Sequence, residues 1–381
     1  MVEEKMRKKI YLDYNAGAPL HPAAKEAVMK GLDEEWGNAL SLHQWGQKAQ
    51  REIEKVRRSM ADILKCHPDH IIFTGGGSEA NNHALRGVQW DQVFISSLEH
   101  DSVYKACIDA VLIPVDHKGY LNLDLLEEKL KDQVGKKTLV SAILACGETG
   151  VIQPLEPLAA LVKKYGAFLH VDATQFFAKM PLPDLAAVDM LTLSGHKFGS
   201  LEGVGILMVR EKVPLMALLR GGGQEKNRRA GTHNVLGIKS LGAMLEQLPD
   251  LSPLRPYHEK LEQQMKEYSQ GQAQVIGEKG DRVPNVTCVA MPGLSREKQL
   301  IHFDLQDIGV SGGAACSSGK IGPSRVVHAL CKDASLAQCS IRISSGWNTN
   351  PSDFDAFFTV WKSLYDQKPA NKERNGHDTK R

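Results

Sequence analysis

The sequence has few aromatic residues and no long apolar run. Phe, Tyr and Trp make up 6% of its 381 residues, and no segment approaches the length of an apolar helix that spans a membrane. Residues 1–9 carry several charges and no apolar core of the kind that a signal peptide contains. These absences predict a globular protein of the cytoplasm.

An excess of one charge and paired cysteines are also missing. The 47 Lys and Arg residues nearly balance the 45 Asp and Glu residues, which argues against a nucleic-acid-binding or membrane-surface protein. The 7 cysteines are odd in number and form no C-x-x-C pair. A disulfide framework and an intrinsic metal site are therefore not expected, and a reducing compartment fits.

The sequence does contain the alternating pattern of an α/β protein. Between residues 71 and 209, apolar strand-like runs alternate with helical stretches, which predicts a mainly parallel sheet covered by helices. The predicted strands are 71–74, 93–96, 139–145, 168–172, 190–193 and 205–209.

The length of the chain and a group of prolines predict two domains. A chain of 381 residues exceeds one compact core of ordinary size. Pro249, Pro253 and Pro256 mark a break after a helical stretch. We expect a large domain at 16–248, a smaller α+β domain at 1–15 and 249–365, and a disordered polar tail at 366–381.

Asp172 and Lys197 stand at the ends of two consecutive predicted strands. Such ends meet at one edge of a parallel sheet, so the carboxylate and the amine are expected to face the same cavity. Pyridoxal phosphate needs this pair, because an amine holds its aldehyde and an acid keeps its pyridine nitrogen protonated. For either residue alone, the alternative is a core aspartate or a surface lysine.

A glycine-rich turn follows the first predicted strand. Residues 75–77 precede Ser78 at a predicted helix start, where free backbone amides and a hydroxyl bind phosphate. The same glycines and Ala80 also match a dinucleotide fingerprint, with Glu99 at the distance of a ribose-binding acid. A nicotinamide-dependent oxidoreductase and a plain tight turn are therefore alternatives for this segment alone.

Other polar residues lie beside these strand ends. His100 closes the second predicted strand, where it could stack on a flat ring, and Gln175 could bond a ring hydroxyl. Ser194 and His196 precede the lysine and could donate to a phosphate. The basic, glycine-rich segment 221–232 is a second candidate anion site or a solvated loop.

Cys316 lies in a segment rich in Gly, Ala and Ser at 311–324, which indicates a mobile loop with a reactive thiol. Most of the other cysteines are interpreted as small core residues. Arg342 lies on a predicted strand at 340–344 and suits bidentate binding of an α-carboxylate. A structural ion pair is the alternative for this arginine.

Taken together, these segments resemble the cysteine desulfurases, within the class V aminotransferase group of fold-type-I pyridoxal phosphate enzymes. The resemblance runs from residue 10 to about residue 361, and the Cys316 segment is similar to that of the iron–sulfur-assembly branch with a long mobile loop. It implies a seven-stranded-type sheet in the large domain. The strings that carry it are 73–81, 99–100, 171–175, 194–197, 229–232 and 312–318.

The resemblance implies a homodimer that converts L-cysteine to L-alanine with pyridoxal phosphate. It leaves a persulfide on Cys316 for an iron–sulfur scaffold protein or a sulfur carrier, and Cys316 could also bind an iron–sulfur cluster transiently. Lys197, Cys316 and His100 would be catalytic, and Asn38 and Arg342 would bind substrate. The implied cofactor-binding residues are Gly77, Ser78, His100, Cys146, Asp172, Gln175, Ser194, Gly195, His196, Lys197 and, from the second subunit, Thr232.

The sequence departs from the family at Cys146 and Gly147, where two asparagines are usual. A thiol is a weak hydrogen-bond partner, so the change bears on substrate alignment and turnover. Within the same enzyme class, the alternatives are a selenocysteine lyase and a class V aminotransferase, which need no nucleophilic thiol. Outside it, the alternative is a sulfur-transfer or interaction protein that keeps the fold and has lost turnover.

Overall fold

The computed structural model describes residues 8–34, 37–313 and 322–368. Its helices are α1 (Pro22–Glu34), α2 (Gln44–Ile63), α3 (Gly77–Arg86), α4 (Asp101–Tyr104), α5 (Leu123–Lys131), α6 (Leu155–Lys164), α7 (Gln224–Asn227), α8 (Val235–Glu246), α9 (Arg255–Tyr268), α10 (Arg296–Asp304), α11 (Arg325–Cys331), α12 (Ala334–Cys339) and α13 (Pro351–Asp366). Its strands are β1 (Ile10–Tyr11), β2 (Ile71–Thr74), β3 (Gln92–Ser96), β4 (Val111–Ile113), β5 (Thr138–Ile143), β6 (Phe168–Asp172), β7 (Met190–Ser194), β8 (Gly205–Val209), β9 (Gln274–Val275), β10 (Val286–Ala290), β11 (Ile308–Gly309) and β12 (Ser340–Ser344).

Seven strands form the central sheet in the order β2-β8-β7-β6-β5-β3-β4. β8 runs antiparallel to β2 and β7, and the other neighbours in the sheet pair in parallel. The α/β fold with a mainly parallel sheet is therefore confirmed. Because β3, β5, β6 and β7 run in the same direction, their carboxyl ends gather at one edge, where ligands bind in such folds.

Helices cover both faces of this sheet. Along β2, Ile71 and Phe73 belong to the core that α2 supplies with Ile53 and Met60. Ile72 points to the opposite face and joins a second core that includes residues of α3. Burial on both faces explains why these strands read as continuous apolar runs in the sequence.

A smaller unit has its own sheet and core. Strands β12, β10 and β9 form an antiparallel sheet, and its core contains the stacked rings of Phe303 and Phe357 beside the fully buried Trp361. The start of the chain joins this unit, since β1 pairs in parallel with β11. A smaller α+β unit is thus present, and the exact domain limits stay a prediction. Residues 369–381 lie outside the described residues.

The predicted strands of the sheet agree with the structure except at one end and one edge. The strand predicted at 139–145 ends at Ile143, because Ala145 instead bridges antiparallel to Ile152 where the chain turns back. The edge strand β4 was not predicted, since it has only 3 residues and is partly exposed. In the described part of the chain, no helix has both the length and the apolar character needed to cross a membrane.

Candidate active site

A cavity of about 640 Å³ opens at the carboxyl edge of the central sheet. Residues from the ends of β3, β5, β6 and β7 line it, together with the turn after β2. The smaller unit contributes Ser311, Gly313, Arg325 and Arg342. The cavity therefore lies at the predicted edge of the sheet, and the smaller unit closes its other side.

Asp172, the last residue of β6, is buried and faces this cavity. Asn81 of α3 donates to its Oδ2 at 2.8 Å, and the backbone N–H of Thr174 donates to its Oδ1 at 3.0 Å. Two neutral donors hold the carboxylate in place, and no cation of residues 8–34, 37–313 and 322–368 forms an ion pair with it. Asp172 is therefore suited to pair with a cationic group of a ligand.

Lys197 ends a single 3₁₀ turn that directly follows β7. Its Nζ donates to the backbone oxygens of Asn15 at 2.9 Å and Ala16 at 2.8 Å. Burial, and then the charge of Arg342, lowers the pKa of Lys197 to about 8, against the opposing effect of Asp13 and Asp172. At pH values near 8 a large part of this lysine is therefore the neutral amine, as a nucleophile for an aldehyde requires.

The glycine turn after β2 forms an anion cradle. α3 begins at Gly77 with no side chain capping its first amides, and Gly76 has φ of 148°, a conformation that favours glycine. A Cβ at Gly77 would lie 3.2 Å from Cβ of Ser194, so the turn packs closely on the end of β7. Free amides at this helix start, with Ser78 and Ser194 alongside, fit a phosphate group.

His100 and His196 both line the cavity. His100 begins α4, and its Nδ1 lies 2.8 Å from Oγ of Ser102, which leaves the exposed ring free to cover a ligand. His196 Nδ1 lies 3.0 Å from Oγ of Ser194. Burial, and then the charge of Lys197, lowers the pKa of His196 to about 4, so this ring is neutral.

Arg342 reaches the cavity from β12 of the smaller unit. Its Nη2 lies 2.6 Å from Oδ1 of Asp13, and its Nη1 donates to the backbone oxygen of Gly147 at 3.2 Å. Its Nε is buried without a hydrogen-bond partner in the described ranges. The guanidinium thus faces the same space as Lys197 and retains capacity to bind a carboxylate.

Cys146 follows the end of β5 and is buried among the residues that line the cavity. Burial, and then Glu148, raises the pKa of its thiol, and Thr149 provides its side-chain hydrogen bond. The thiol is therefore neutral and weakly polar, so this wall of the cavity lacks a strong donor.

Most of the predicted site residues are brought together. Gly77, Ser78, His100, Cys146, Asp172, Gln175, Ser194, His196, Lys197 and Arg342 all line the cavity. Gly195, Asn38 and Thr232 do not. Gly195 is buried beneath the turn against Ser200, whereas Asn38 and Thr232 are exposed elsewhere. Cys316 lies outside the described residues.

Sequence analysis missed polar residues that complete the cavity. The backbone oxygen of Asn15 accepts a hydrogen bond from Lys197, and Asn81 donates one to Asp172. Thr174 has a buried hydroxyl without a hydrogen-bond partner among the described residues. The signal for Asn15 was a polar end to the apolar segment 10–14. Asn81 and Thr174 gave no signal beyond lying next to predicted site residues.

The polar groups that line the cavity match the chemical groups of pyridoxal phosphate. Asp172 matches a pyridine nitrogen, the amine of Lys197 matches an aldehyde, and the glycine turn 75–77 matches a phosphate. The unpartnered hydroxyl of Thr174 and the close approach of Gly77 to Ser194 leave that cradle open to an anion.

Architecture and site together define the class of fold-type-I pyridoxal phosphate enzymes. The chain belongs to the class-V aminotransferase family, whose model matches residues 10–357. This match decides against the dinucleotide interpretation of the glycine turn.

One named relative and two solved structures are similar to this chain over most of its length. The cysteine desulfurase IscS of Dictyoglomus turgidum is 33% identical over 386 residues, with 95% of this chain and 96% of that protein covered. A NifS-like protein from Rickettsia africae has a solved structure that is 33% identical with a TM-score of 0.86, covering 94% of this chain and 100% of that chain. The structure of SspA in complex with cysteine is 26% identical with a TM-score of 0.77, covering 88% and 98%.

Proposed function

We propose that the protein is a pyridoxal phosphate-dependent cysteine desulfurase. The observation that carries the proposal is the meeting of the Lys197 amine, the Asp172 carboxylate and the Arg342 guanidinium around one cavity. Relatives that share about a third of its residues over nearly the whole chain are named cysteine desulfurases, which supports this choice. The substrate would be L-cysteine.

The described residues divide the task of holding the cofactor. Asp172 would pair with the ring nitrogen, Lys197 would hold the aldehyde carbon, and Ser78 and Ser194 would bind the phosphate with the amides of α3. When bound, pyridoxal phosphate would supply an electron sink next to the substrate α-carbon. Gln175 would donate to the ring oxygen.

The remaining residues act on the substrate. Arg342 would bind the α-carboxylate as a bidentate donor, which fixes the orientation of the amino acid. The amine of Lys197 would also accept and return a proton, since its pKa of about 8 lies near ambient pH. His100 would cover the ring and contact the same reacting atoms.

The sulfur would leave to the thiol of Cys316, which lies outside the described residues. The thiol sulfur of Cys316 bonds to the substrate sulfur while the substrate C–S bond breaks. L-cysteine and the thiol thereby give L-alanine and a persulfide, and the proton lost from the thiol side is returned at the substrate carbon. No outside oxidant or reductant is needed.

We infer a homodimer and a protein acceptor for the sulfur. Thr232 is exposed and does not line the cavity of its own chain, which supports a role at the site of a second subunit. An iron–sulfur scaffold protein or a sulfur carrier would then take the sulfur from the persulfide.

Mass spectrometry after treatment with L-cysteine tests this function. We expect the peptide that carries Cys316 to gain the mass of one sulfur atom, with equimolar alanine formed. With a thiol reductant added to release the persulfide sulfur as sulfide, a Cys316→Ser variant should keep the visible absorbance of the cofactor and form neither alanine nor sulfide, whereas a Cys66→Ser control should behave as the native protein. Sulfide release that is undiminished in Cys316→Ser would remove this thiol from the reaction, and absence of alanine in all forms would point to a protein that has lost turnover.

A further inference from the structure

A second lysine lies behind the cavity. Lys179 is buried and makes no ion pair within the described ranges. Its Nζ donates to Oδ1 of Asn15 at 2.6 Å and to Oε1 of Gln175 at 2.5 Å. Burial, followed by the charges of Lys197 and Arg342, holds the pKa of Lys179 well below its usual range. A neutral amine has two N–H donors, and the oxygens of Asn15 and Gln175 accept both of them from Lys179.

This contact decides which way the amide of Gln175 points. A carboxamide carries its oxygen on one side and its two N–H donors on the other. Because Oε1 accepts from Lys179, Nε2 takes the opposite side, donates one N–H to the backbone oxygen of Asn15 at 2.9 Å and keeps the other. Gly147 leaves room there, since a Cβ would come within 3.3 Å of Cγ of Gln175.

The same amine orients Asn15. Its Oδ1 accepts from Lys179, so its Nδ2 faces the other way and donates to the backbone oxygen of Gly147 at 3.0 Å. The backbone oxygen of Asn15 accepts from both Gln175 and Lys197. The buried amine therefore fixes the amide of Gln175, and it shares the task of orienting Asn15 with Asn285, whose Nδ2 also donates to Oδ1 of Asn15 at 3.2 Å.

We propose that Lys179 is a positioning residue that keeps an N–H of Gln175 aimed into the cavity, where it donates to an anionic oxygen on the cofactor ring. Cys146 cannot take over this task, because a thiol is a weak donor and this one is directed to Thr149. The inference rests on the proposed function, since the ring oxygen belongs to pyridoxal phosphate.

The variant Lys179→Met tests this role with a spectroscopic measurement. A donor to the ring oxygen stabilises the form with more negative charge, so it lowers the pH at which the visible absorbance of the lysine-bound cofactor titrates. Without the amine, the amide of Gln175 is free to turn, and we expect the titration midpoint to rise by about one pH unit. The control Lys163→Met, on the exposed face of α6, should leave the midpoint unchanged.

A double-mutant cycle separates positioning from a direct effect of charge. In a Gln175→Leu background, Lys179→Met should shift the midpoint no further, because the residue acts through the amide that is already gone. A shift that persists in this background, or a Lys179→Met variant with the native midpoint, overturns the proposal. If Lys179→Met does not fold, Gln175→Leu with Lys179→Gln completes the same cycle.

The two proposals fail in different ways. A native protein that shows no visible absorbance with pyridoxal phosphate contradicts the proposed function. A native protein that shows it, with an unchanged midpoint in Lys179→Met, contradicts only the role of Lys179.

Discussion

At the residue scale, the chemistry of the site depends on one amine held by carbonyl groups. Lys197 donates to the backbone oxygens of Asn15 and Ala16 and has no carboxylate as a direct partner among the described residues. Such a lysine loses its proton more readily than the surface lysines that form ion pairs with carboxylates.

Replacing Lys197 by Ala should abolish the visible absorbance that the native protein, loaded with pyridoxal phosphate, retains after gel filtration. The phosphate cradle is untouched, so the cofactor should still bind, more weakly and without a covalent bond. Absorbance spectra before and after gel filtration measure this. A band that survives filtration in Lys197→Ala would assign the covalent bond to another residue, and Lys163→Ala serves as the control.

The capture of the cofactor should depend on pH through the same group. Only the neutral amine attacks an aldehyde, so the rate should rise with pH and level off above about 8, well below the ordinary lysine value of 10.5. Stopped-flow absorbance of the cofactor-free protein measures it. A rate that keeps rising toward 10.5 would contradict the depressed pKa.

The depressed pKa also affects stability, with a definite sign. Between about 8 and 10.5 the unfolded chain binds the proton that folded Lys197 has lost, so this residue makes the free energy of unfolding increase with pH in that window.

Residue types and their places at strand ends were readable from the sequence, whereas their partners were not. Asp172 and Lys197 follow apolar strands, which identifies them locally. Lys179 meets Asn15 across 164 residues of chain. No local sequence pattern predicts such a contact, so the hydrogen bonds of Lys179 with Asn15 and Gln175 could be found only in the structure.

At the element scale, the loop that contains α7 is held by a buried ion pair. Glu225 and Lys226 have positive φ values of 48° and 56°, which side chains rarely adopt. Arg57 of α2 binds both carboxylate oxygens of Glu225 at 2.8 Å, and His233 lies 2.6 Å from Oε1. The ion pair keeps this strained loop in place before Thr232.

Replacing Glu225 by Gln should lower the free energy of unfolding by about 3 kcal/mol, since it leaves the buried Arg57 with only the partly exposed Glu54 as a counter-ion. Although burial alone raises it, hydrogen bonds from His233 and Arg57 lower the pKa of Glu225 to about 2. Native stability should therefore fall as pH decreases from 4.5 toward 2, and this part should be absent from the variant.

Urea denaturation measures both effects. Glu246→Gln is the matched control, because its ion pair with Lys55 is exposed and should contribute less than about 0.5 kcal/mol. A loss for Glu225→Gln no larger than that of the control would show that the pair does not support the loop.

The antiparallel strand β8 shapes the phosphate cradle. Its first residue, Gly205, pairs with Thr74 on one side and Ser194 on the other. A Cβ at Gly205 would lie 2.6 Å from Cα of Gly76, a distance that the backbone cannot accommodate without moving. The cradle therefore depends on a glycine that does not itself face the ligand.

Replacing Gly205 by Ala should weaken the binding of pyridoxal phosphate by about tenfold or more, equivalent to about 1.4 kcal/mol, because the turn must shift. Titration of the cofactor absorbance measures the affinity. Gly17→Ala is a suitable control, since the nearest atom to its new Cβ is 3.9 Å away. Equal affinities in the two variants would contradict the role of Gly205.

At the scale of the whole molecule, the site is shared between the large sheet and the smaller unit. Arg342 of β12 contacts Asp13 and Gly147, and Arg325 of α11 donates to the backbone oxygen of Ser97 at 2.7 Å. The substrate pocket is thus complete only when the two units are docked.

Replacing Arg342 by Lys should raise the KM for L-cysteine by about tenfold or more while the cofactor absorbance stays native. Lysine keeps the charge near Lys197 and loses the planar, bidentate geometry that a carboxylate requires. Steady-state kinetics and absorbance spectra measure both, with the exposed Arg58→Lys as the control. An unchanged KM would assign the carboxylate to another residue.

The sequence predicted the large sheet well because buried parallel strands are continuous apolar runs, as in β5 and β7. It predicted the smaller unit only coarsely. The strands β1, β9 and β11 have 2 residues each, and their pairing depends on distant parts of the chain. Local patterns do not specify such short strands.

The contact between Asn15 and Ser344 has a consequence for the order of assembly. The backbone N–H of Asn15 donates to Oγ of Ser344 at 3.0 Å, across 329 residues. A growing chain on the ribosome cannot close this contact until β12 has emerged. The carbonyl groups that hold Lys197 are therefore fixed only after β12 has emerged, and cofactor capture should follow that point.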